Sequence, residues 1–198
     1  MDAASTAAFA LFAAVAAFTP GPNNVMLAAS GATFGFRGTI LHILGIIVGF
    51  GLLVLAGGFG FAGLLAAFPA AHTLLRVAGI LFLLYLAWRI GTAGRPEDRP
   101  ASRPLNFWQA AAFQMINPKG LTILASAISV YSSGPDGVAD ALVVMLPIFL
   151  TVTVFSACTW CFFGTLIGRL LTEDRALRRF NMIMAMLLVL SLLPMLTE

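Results

Sequence analysis

Two proline-containing breaks interrupt the long apolar runs of this chain, one near its start and one in its second half. The first is Pro20-Gly21-Pro22-Asn23-Asn24, and the second is Asn117-Pro118-Lys119-Gly120. Non-helical backbone at membrane depth is tolerated only where it is buried in protein or lines a water-filled cavity. Breaks at matching places in the two halves of a chain therefore indicate a transport site.

The composition predicts a protein embedded in a lipid bilayer. Of its 198 residues, 60% are hydrophobic and 10% are charged, and the mean hydropathy is +0.98, whereas soluble domains carry about 25% charged residues. The basic residues lie in short loops rather than on one face, so we expect no nucleic-acid partner. The N-terminal segment lacks a basic cluster, which predicts a retained first span rather than a cleaved leader.

Apolar runs of spanning length predict six transmembrane helices. They cover residues 3–30, 39–66, 70–91, 107–131, 138–171 and 180–196. In the fifth run, Pro147 is expected either to kink the helix or to end its first segment. A tight turn near Phe68-Pro69 joins the second and third runs. Six spans place nine arginines on one side and only Arg76 on the other, which predicts periplasmic termini in the inner (plasma) membrane.

The predicted fold is all-α, a 3+3 inverted repeat in which spans one and four are broken. The whole chain, 1–198, forms one transmembrane domain with a first half 1–93, a charged loop 94–106 and a second half 107–198. Three spans in each half give the halves opposite orientations, as in many transporters. Glycine pairs at small-xxx-small spacing, Gly31/Gly35, Gly45/Gly49 and Gly164/Gly168, predict close helix packing and allow a homodimer.

The prolines should free backbone groups inside the membrane, because each lacks an N–H and clashes with the carbonyl four residues earlier. The carbonyls expected to be freed are those of Ala16, Phe18 and Gln114. Gly21 is expected to supply non-helical dihedral angles. The helix that resumes after Pro22 should offer free N–H groups at its positive end. Carbonyls on one side and amides on the other match a small zwitterion such as an amino acid, although a simple kink with capping asparagines is the alternative.

Lys119 lies about 12 residues into the fourth run, about 18 Å from its start, too deep to reach water easily. A lysine at this depth costs about 2.5–3.5 kcal/mol. We expect it to face the interior and bind a substrate carboxylate or carry a proton; the alternative is a structural tether to freed carbonyls. The predicted substrate-binding residues are Thr19, Pro20, Gly21, Pro22, Asn23, Asn24, Gln114, Asn117, Pro118 and Lys119.

Other candidate groups receive a structural interpretation. His42, just inside the second run, is expected to be an inert interfacial residue. Cys158 and Cys161 have thiol-redox spacing, so a transmembrane thiol-redox carrier is one alternative function, but both lie on one apolar helix as small core residues. A cation exporter is the other alternative and would need carboxylates inside the spans, which the sequence lacks. No cofactor, metal site or enzymatic activity is predicted.

Several motifs together resemble the LysE/RhtB amino-acid exporter family over essentially the whole chain. They are the segments 18–24, Gly35-Phe36-Arg37, Tyr85-Leu86-Ala87-Trp88 and Asn117-Pro118-Lys119. The doubled asparagine, 86–90 and 106–110 are most similar to the cysteine/O-acetylserine exporter branch. The resemblance implies efflux of a small amino acid or derivative from the bacterial cytoplasm, of the cysteine/O-acetylserine type or another neutral amino acid such as threonine or homoserine, driven by the proton gradient.

Overall fold

The computed structural model describes residues 1–58, 60, 69–93, 103–132, 137–171 and 173–193, and this part of the chain is helical, without β-strands. Its helices are α1 Ala3–Phe18, α2 Pro22–Gly38, α3 Ile40–Gly58, α4 Pro69–Gly91, α5 Phe107–Gln114, α6 Pro118–Tyr131, α7 Gly137–Leu170 and α8 Asp174–Leu190. The all-α class is confirmed. The predicted turn at Phe68-Pro69 and most of the charged loop lie outside the described residues.

Two described helices are long and apolar enough to cross a membrane, α3 and α7. The pair α1 and α2 makes a third span if it is counted as one helix bent by 51°. The apolar part of α4, Val77–Gly91, is shorter. Helix α7 runs unbroken through Pro147, so this proline does not end its first segment. The full set of six spans stays a prediction.

The helix ends follow from their capping residues. The Asp2 carboxylate accepts a hydrogen bond of 2.7 Å from the Ser5 amide at the start of α1, and this bond lowers the pKa of the Asp2 carboxyl below its ordinary value. Asn106 and Gln109 form a reciprocal capping box at the start of α5, which satisfies two amides that the helix leaves free. Helices α2 and α6 both begin with proline, whose fixed φ suits the first helical position.

Helix α2 lies at the centre of the bundle and packs most extensively against α7. A Cβ atom on Gly31 would lie 2.2 Å from the Cys161 carbonyl oxygen, and one on Gly164 would lie 2.0 Å from that of Ala28. Helix α3 approaches α5 in the same way, since a Cβ on Gly45 would lie 2.4 Å from the Phe107 oxygen. The predicted close packing is therefore observed at these glycines.

Gly35 has a different role from its predicted partner Gly31. A Cβ on Gly35 would meet nothing within 4 Å, so it does not pack closely. Its φ of 71° and ψ of 171° interrupt α2 near its end, and side-chain-bearing residues rarely adopt such a conformation. The glycine is required here by the backbone bend.

The contact between α2 and α7 predicts a large effect of one methyl group. Gly164→Ala should lower the free energy of unfolding by about 1–3 kcal/mol, because the Cβ collides with backbone that cannot rotate away. Gly51→Ala is the matched control, since its Cβ would meet only the end of the Leu150 side chain, at 3.1 Å. Thermal unfolding in detergent, followed by circular dichroism, measures both. Equal melting temperatures for the two variants would contradict the packing described here.

Candidate functional site

Both predicted breaks are present, and each separates two helices. Helix α1 ends at Phe18 and α2 begins at Pro22, while α5 ends at Gln114 and α6 begins at Pro118. Gly21 and Asn117 are the N-cap residues of the resuming helices, and both have extended backbone. The interruptions therefore end one helix and start another at each break.

Carboxamide side chains join the two breaks. Asn23 Nδ2 donates to Gln114 Oε1 at 2.8 Å, and Gln114 Nε2 donates back to Asn23 Oδ1 at 3.2 Å. Gln114 Nε2 also donates to the Ala110 carbonyl oxygen at 2.9 Å. A carbonyl only accepts hydrogen bonds, so this contact fixes which end of the Gln114 amide is nitrogen. The two interrupted stretches, 91 residues apart in sequence, are thus in direct contact.

The carbonyls exposed at the end of α1 are engaged by side chains. Asn24 Nδ2 donates to the Ala17 and Thr19 oxygens at 2.8 and 2.9 Å, and Ser156 Oγ donates to the Ala17 oxygen at 2.7 Å. The carbonyls predicted to be freed by the prolines, those of Ala16 and Phe18, differ from the carbonyls engaged here, and their release stays a prediction. The difference arises because the direction of a carbonyl at a helix end, and not only the loss of its amide partner, decides which side chain reaches it.

Lys119 reaches across from the second break to the first. Its ammonium donates to the Thr19 carbonyl oxygen and lies 3.5 Å from that of Pro20. A cation is stabilised at the carbonyl end of a helix, here the end of α1. This contact is the structural tether that was the alternative role predicted for Lys119.

The reason for a glycine at position 21 is the space needed by the Lys119 tether and not the backbone conformation. Its φ of −172° and ψ of 178° are non-helical, as predicted, but they are extended backbone that other residues also adopt. A Cβ at this position would lie 2.5 Å from Lys119 Cδ and 3.0 Å from Lys119 Nζ. The absent side chain leaves the space that the lysine occupies.

A cavity of about 70 Å³ lies beside the two breaks, and we call it the central cavity. One water needs roughly 10–15 Å³ measured in this way, so a small molecule of several heavy atoms is accommodated. Five predicted residues line it, namely Gly21, Asn23, Asn24, Asn117 and Lys119. The other five predicted residues do not line it. Gln114 is fully buried behind Asn23, and each of the two prolines, Pro22 and Pro118, is the first residue of a helix. Thr19 and Pro20 contribute the backbone carbonyls that bind Lys119.

The sequence prediction missed the walls contributed by α3 and α7. Ile46 and Phe50 line the cavity from α3, and Phe149, Thr153 and Ser156 line it from α7. The sequence did carry a signal for the two hydroxyl residues, Thr153 and Ser156. They interrupt an apolar run, and residues three apart share one helix face. Nothing in the sequence marked the aromatic residues, which look like ordinary core.

The electrostatics of the central cavity favour an anionic group. Proline starts both resuming helices, so the amides of Asn23, Asn24, Lys119 and Gly120 occupy first-turn positions that have no acceptor within their own helix. Each helix also presents the positive end of its dipole there. Among the described residues that line the cavity, none is acidic.

One acceptor in the central cavity has no partner within the described structure. Asn117 Nδ2 donates to Gln114 Oε1 at 3.3 Å, which leaves Asn117 Oδ1 buried without a hydrogen bond. A buried polar atom without a partner costs about 1–3 kcal/mol. This oxygen is therefore suited to accept a hydrogen bond from a bound ligand.

The other candidate groups fall outside the central cavity. His42 is 1% exposed and is therefore covered by neighbouring helices, while its position near the membrane interface stays a prediction. Cys158 and Cys161 are free thiols, and Cys161 lies in the apolar core. In the described part of the chain, no group of three or more metal-binding side chains comes together.

The family model of the LysE type translocators matches residues 14–193. The chain belongs to this family of membrane translocators. Its curated relatives include the cysteine/O-acetylserine efflux proteins of Escherichia coli strain K12 and of Shigella flexneri, each 33% identical over 184 residues and 92% of both chains. The resemblance found in the sequence is thereby confirmed. No solved structure matches the chain.

The carboxamide pair predicts strong coupling between the two breaks. In a double-mutant cycle, Asn23→Ala and Gln114→Ala should show an interaction free energy of about 1–3 kcal/mol, the sum of two neutral hydrogen bonds. Chemical unfolding in mixed micelles supplies the four free energies. The cycle of Asn24→Ala with Gln114→Ala is the control and should give a value near zero, since Asn24 bonds to α1 instead. Additive effects in the first cycle would contradict the bridge.

Proposed function

We propose that this protein exports a small amino acid or amino-acid derivative, of the cysteine/O-acetylserine type, from the bacterial cytoplasm. The observation that carries the proposal is the convergence of two helix N-termini and Lys119 on one cavity between matched helix breaks. Such discontinuous helices bind the carboxylate of amino-acid substrates in other transporters. Membership of the translocator family and the names of the curated relatives support the same function.

The substrate carboxylate binds at the free amides of α2 and α6, where both helix dipoles favour negative charge. Its ammonium donates to Asn117 Oδ1, the buried acceptor that has no partner. The side chain of the substrate lies against Ile46, Phe50 and Phe149. The polar groups thus select the zwitterion, and the limited volume selects a small side chain.

Lys119 couples binding to movement in this proposal. Its ammonium holds the carbonyls after α1 in the described conformation. A carboxylate entering the cavity competes with these carbonyls for the ammonium, because a hydrogen bond between two charged groups is stronger than one to a neutral carbonyl. Substrate binding therefore loosens the tether between the two breaks, which permits the cavity to open to the other side.

The proposed membrane arrangement has six spans, a 3+3 inverted repeat and periplasmic termini in the inner membrane. Part of the helix pairing supports the repeat, since α3 packs on α5 as α7 packs on α1, and α3 with α7 and α4 with α8 pair each helix with its counterpart. The extensive packing of α2 on α7 has only a small counterpart between α6 and α3. The arginines at the ends of α2, α4 and α7 and in α8 lie on one predicted side, which supports the orientation. The central cavity is lined by residues of one chain, so the proposal does not depend on the homodimer that the sequence allows.

Transport into inside-out vesicles tests the function and its energy source. We expect accumulation of labelled cysteine or O-acetylserine to exceed that of leucine, because the cavity is small, and to require a pH gradient. Threonine and homoserine are tested in the same assay. Their accumulation would indicate a broader range of neutral amino acids than the cysteine/O-acetylserine type. Vesicles without the protein are the control. Equal signals from vesicles with and without it, for every amino acid offered, would overturn the proposal.

Substitution of Lys119 separates a substrate ligand from a structural tether. Lys119→Met should lower transport about 10- to 100-fold, since it removes a charged hydrogen bond worth about 1.5–3 kcal/mol. A raised KM indicates that the ammonium binds substrate, whereas a lowered maximal rate with unchanged KM and a lower melting temperature indicates the tether alone. Arg169→Met, which removes an exposed cation at the end of α7, is the control. Full activity of Lys119→Met would exclude both roles.

A further inference from the structure

A second polar cavity, separate from the central one, lies among the middle of α2, the start of α3, the end of α4 and the middle of α8. We call it the inner chamber, and its volume is about 50 Å³. Its polar lining consists of Ser30, Thr33, His42, Arg89, Arg103 and Asn181. None of these side chains has a role in the proposed central site.

Asn181 lines the inner chamber and carries an acceptor that has no partner among the described residues. Its Nδ2 donates to Thr33 Oγ1 at 3.2 Å and to the Ala93 carbonyl oxygen at 3.3 Å. Because the Ala93 carbonyl only accepts, the amide cannot be turned round, and Oδ1 is the atom left without a hydrogen bond. Asn181 is 0% exposed, so solvent at the surface does not reach it.

His42 presents a second polar atom without a partner. Its Nδ1 lies 3.4 Å from Ser30 Oγ, while Nε2 is buried without a hydrogen bond. If the Ser30 hydroxyl donates to Nδ1, then Nε2 carries the proton and is a donor. The Arg89 guanidinium donates one hydrogen bond, of 2.7 Å, to the Arg103 carbonyl oxygen. Its other N–H groups are further donors.

These groups are complementary to the two ends of an amino acid. Guanidinium groups and an imidazole N–H bind a carboxylate, and a carboxamide oxygen accepts from an ammonium. Leaving either buried atom unpaired costs about 1–3 kcal/mol. Water could pair with the two atoms, whereas an amino acid would pair with them and also with the adjoining guanidinium groups.

The inner chamber lies further along α2 than the central cavity. Asn24 lines the central cavity and Ser30 the inner chamber, and six residues of helix correspond to about 9 Å. The buried apolar residues Val25 and Leu27 lie between them on the same helix. A molecule leaving one site thus has a short distance to travel to the other.

We propose that the inner chamber is a second binding site for the exported amino acid, occupied before the substrate passes to the central cavity. The proposal rests on the proposed export function. The carboxylate of the substrate binds Arg89, Arg103 and His42 Nε2, and its ammonium donates to Asn181 Oδ1.

Protection of an introduced thiol tests this site directly. Ala93 lines the chamber and is partly exposed, so Ala93→Cys is made in full-length protein that also carries Cys158→Ser and Cys161→Ala. O-acetylserine at mildly acidic pH should slow alkylation of this cysteine by N-ethylmaleimide, and should still do so when Lys119→Met disables the central site. Arg103→Met, an exposed substitution that leaves the core intact, should raise the half-protecting concentration about 10-fold. Asn181→Leu should abolish protection.

The outcomes distinguish failure of this inference from failure of the export function. Ala16→Cys, in the wall of the central cavity, serves as the matched reporter. Protection at Ala16→Cys without protection at Ala93→Cys overturns the second site and leaves export standing. Protection at Ala93→Cys that disappears with Lys119→Met also overturns it, since the effect then comes from the central cavity. Absence of both protection and transport overturns the export function together with the inference.

Discussion

The reciprocal carboxamide bond between Asn23 and Gln114 holds the two interrupted helices together inside the bundle. Interrupting a helix in an apolar environment leaves amides and carbonyls that lipid cannot satisfy. The bridge, with Asn24, Ser156 and Lys119 around it, pairs many of these groups with side chains. The groups left over, helix-start amides and one asparagine oxygen, are the ones available to a ligand.

The breaks were predictable from sequence because their cause is local. Proline lacks an N–H wherever it occurs, so the ends of α1 and α5 follow from Pro20, Pro22 and Pro118 alone. Their meeting followed from the matched positions in two halves of the chain. The identity of the engaged carbonyls did not, because one residue of helix turns a carbonyl by about 100° and no sequence pattern records that direction.

The depth of a residue was also easier to predict than its surroundings. Counting residues placed Lys119 well inside the bilayer, and it does contact the first break. The same counting placed His42 near the membrane interface, but it did not reveal that neighbouring helices cover this side chain. Thr153 and Phe149 were missed for a related reason, since a wall of the cavity depends on how α7 lies against α1 and α2. Distance along a helix is local information, whereas the direction that a side chain faces is set by tertiary packing.

The glycine contacts between α2 and α7 have a mechanical consequence. Gly31, Gly164 and Gly168 bring the two backbones so close that carbonyl oxygens fill the space of their missing side chains. Close-packed surfaces of this kind resist sliding by fractions of a residue, because intermediate positions force backbone atoms into one another. Helices α2 and α7 must then travel as a single rigid body. Asn24 of α2 and Ser156 of α7 also donate to the Ala17 carbonyl oxygen, so the end of α1 is held to the same body.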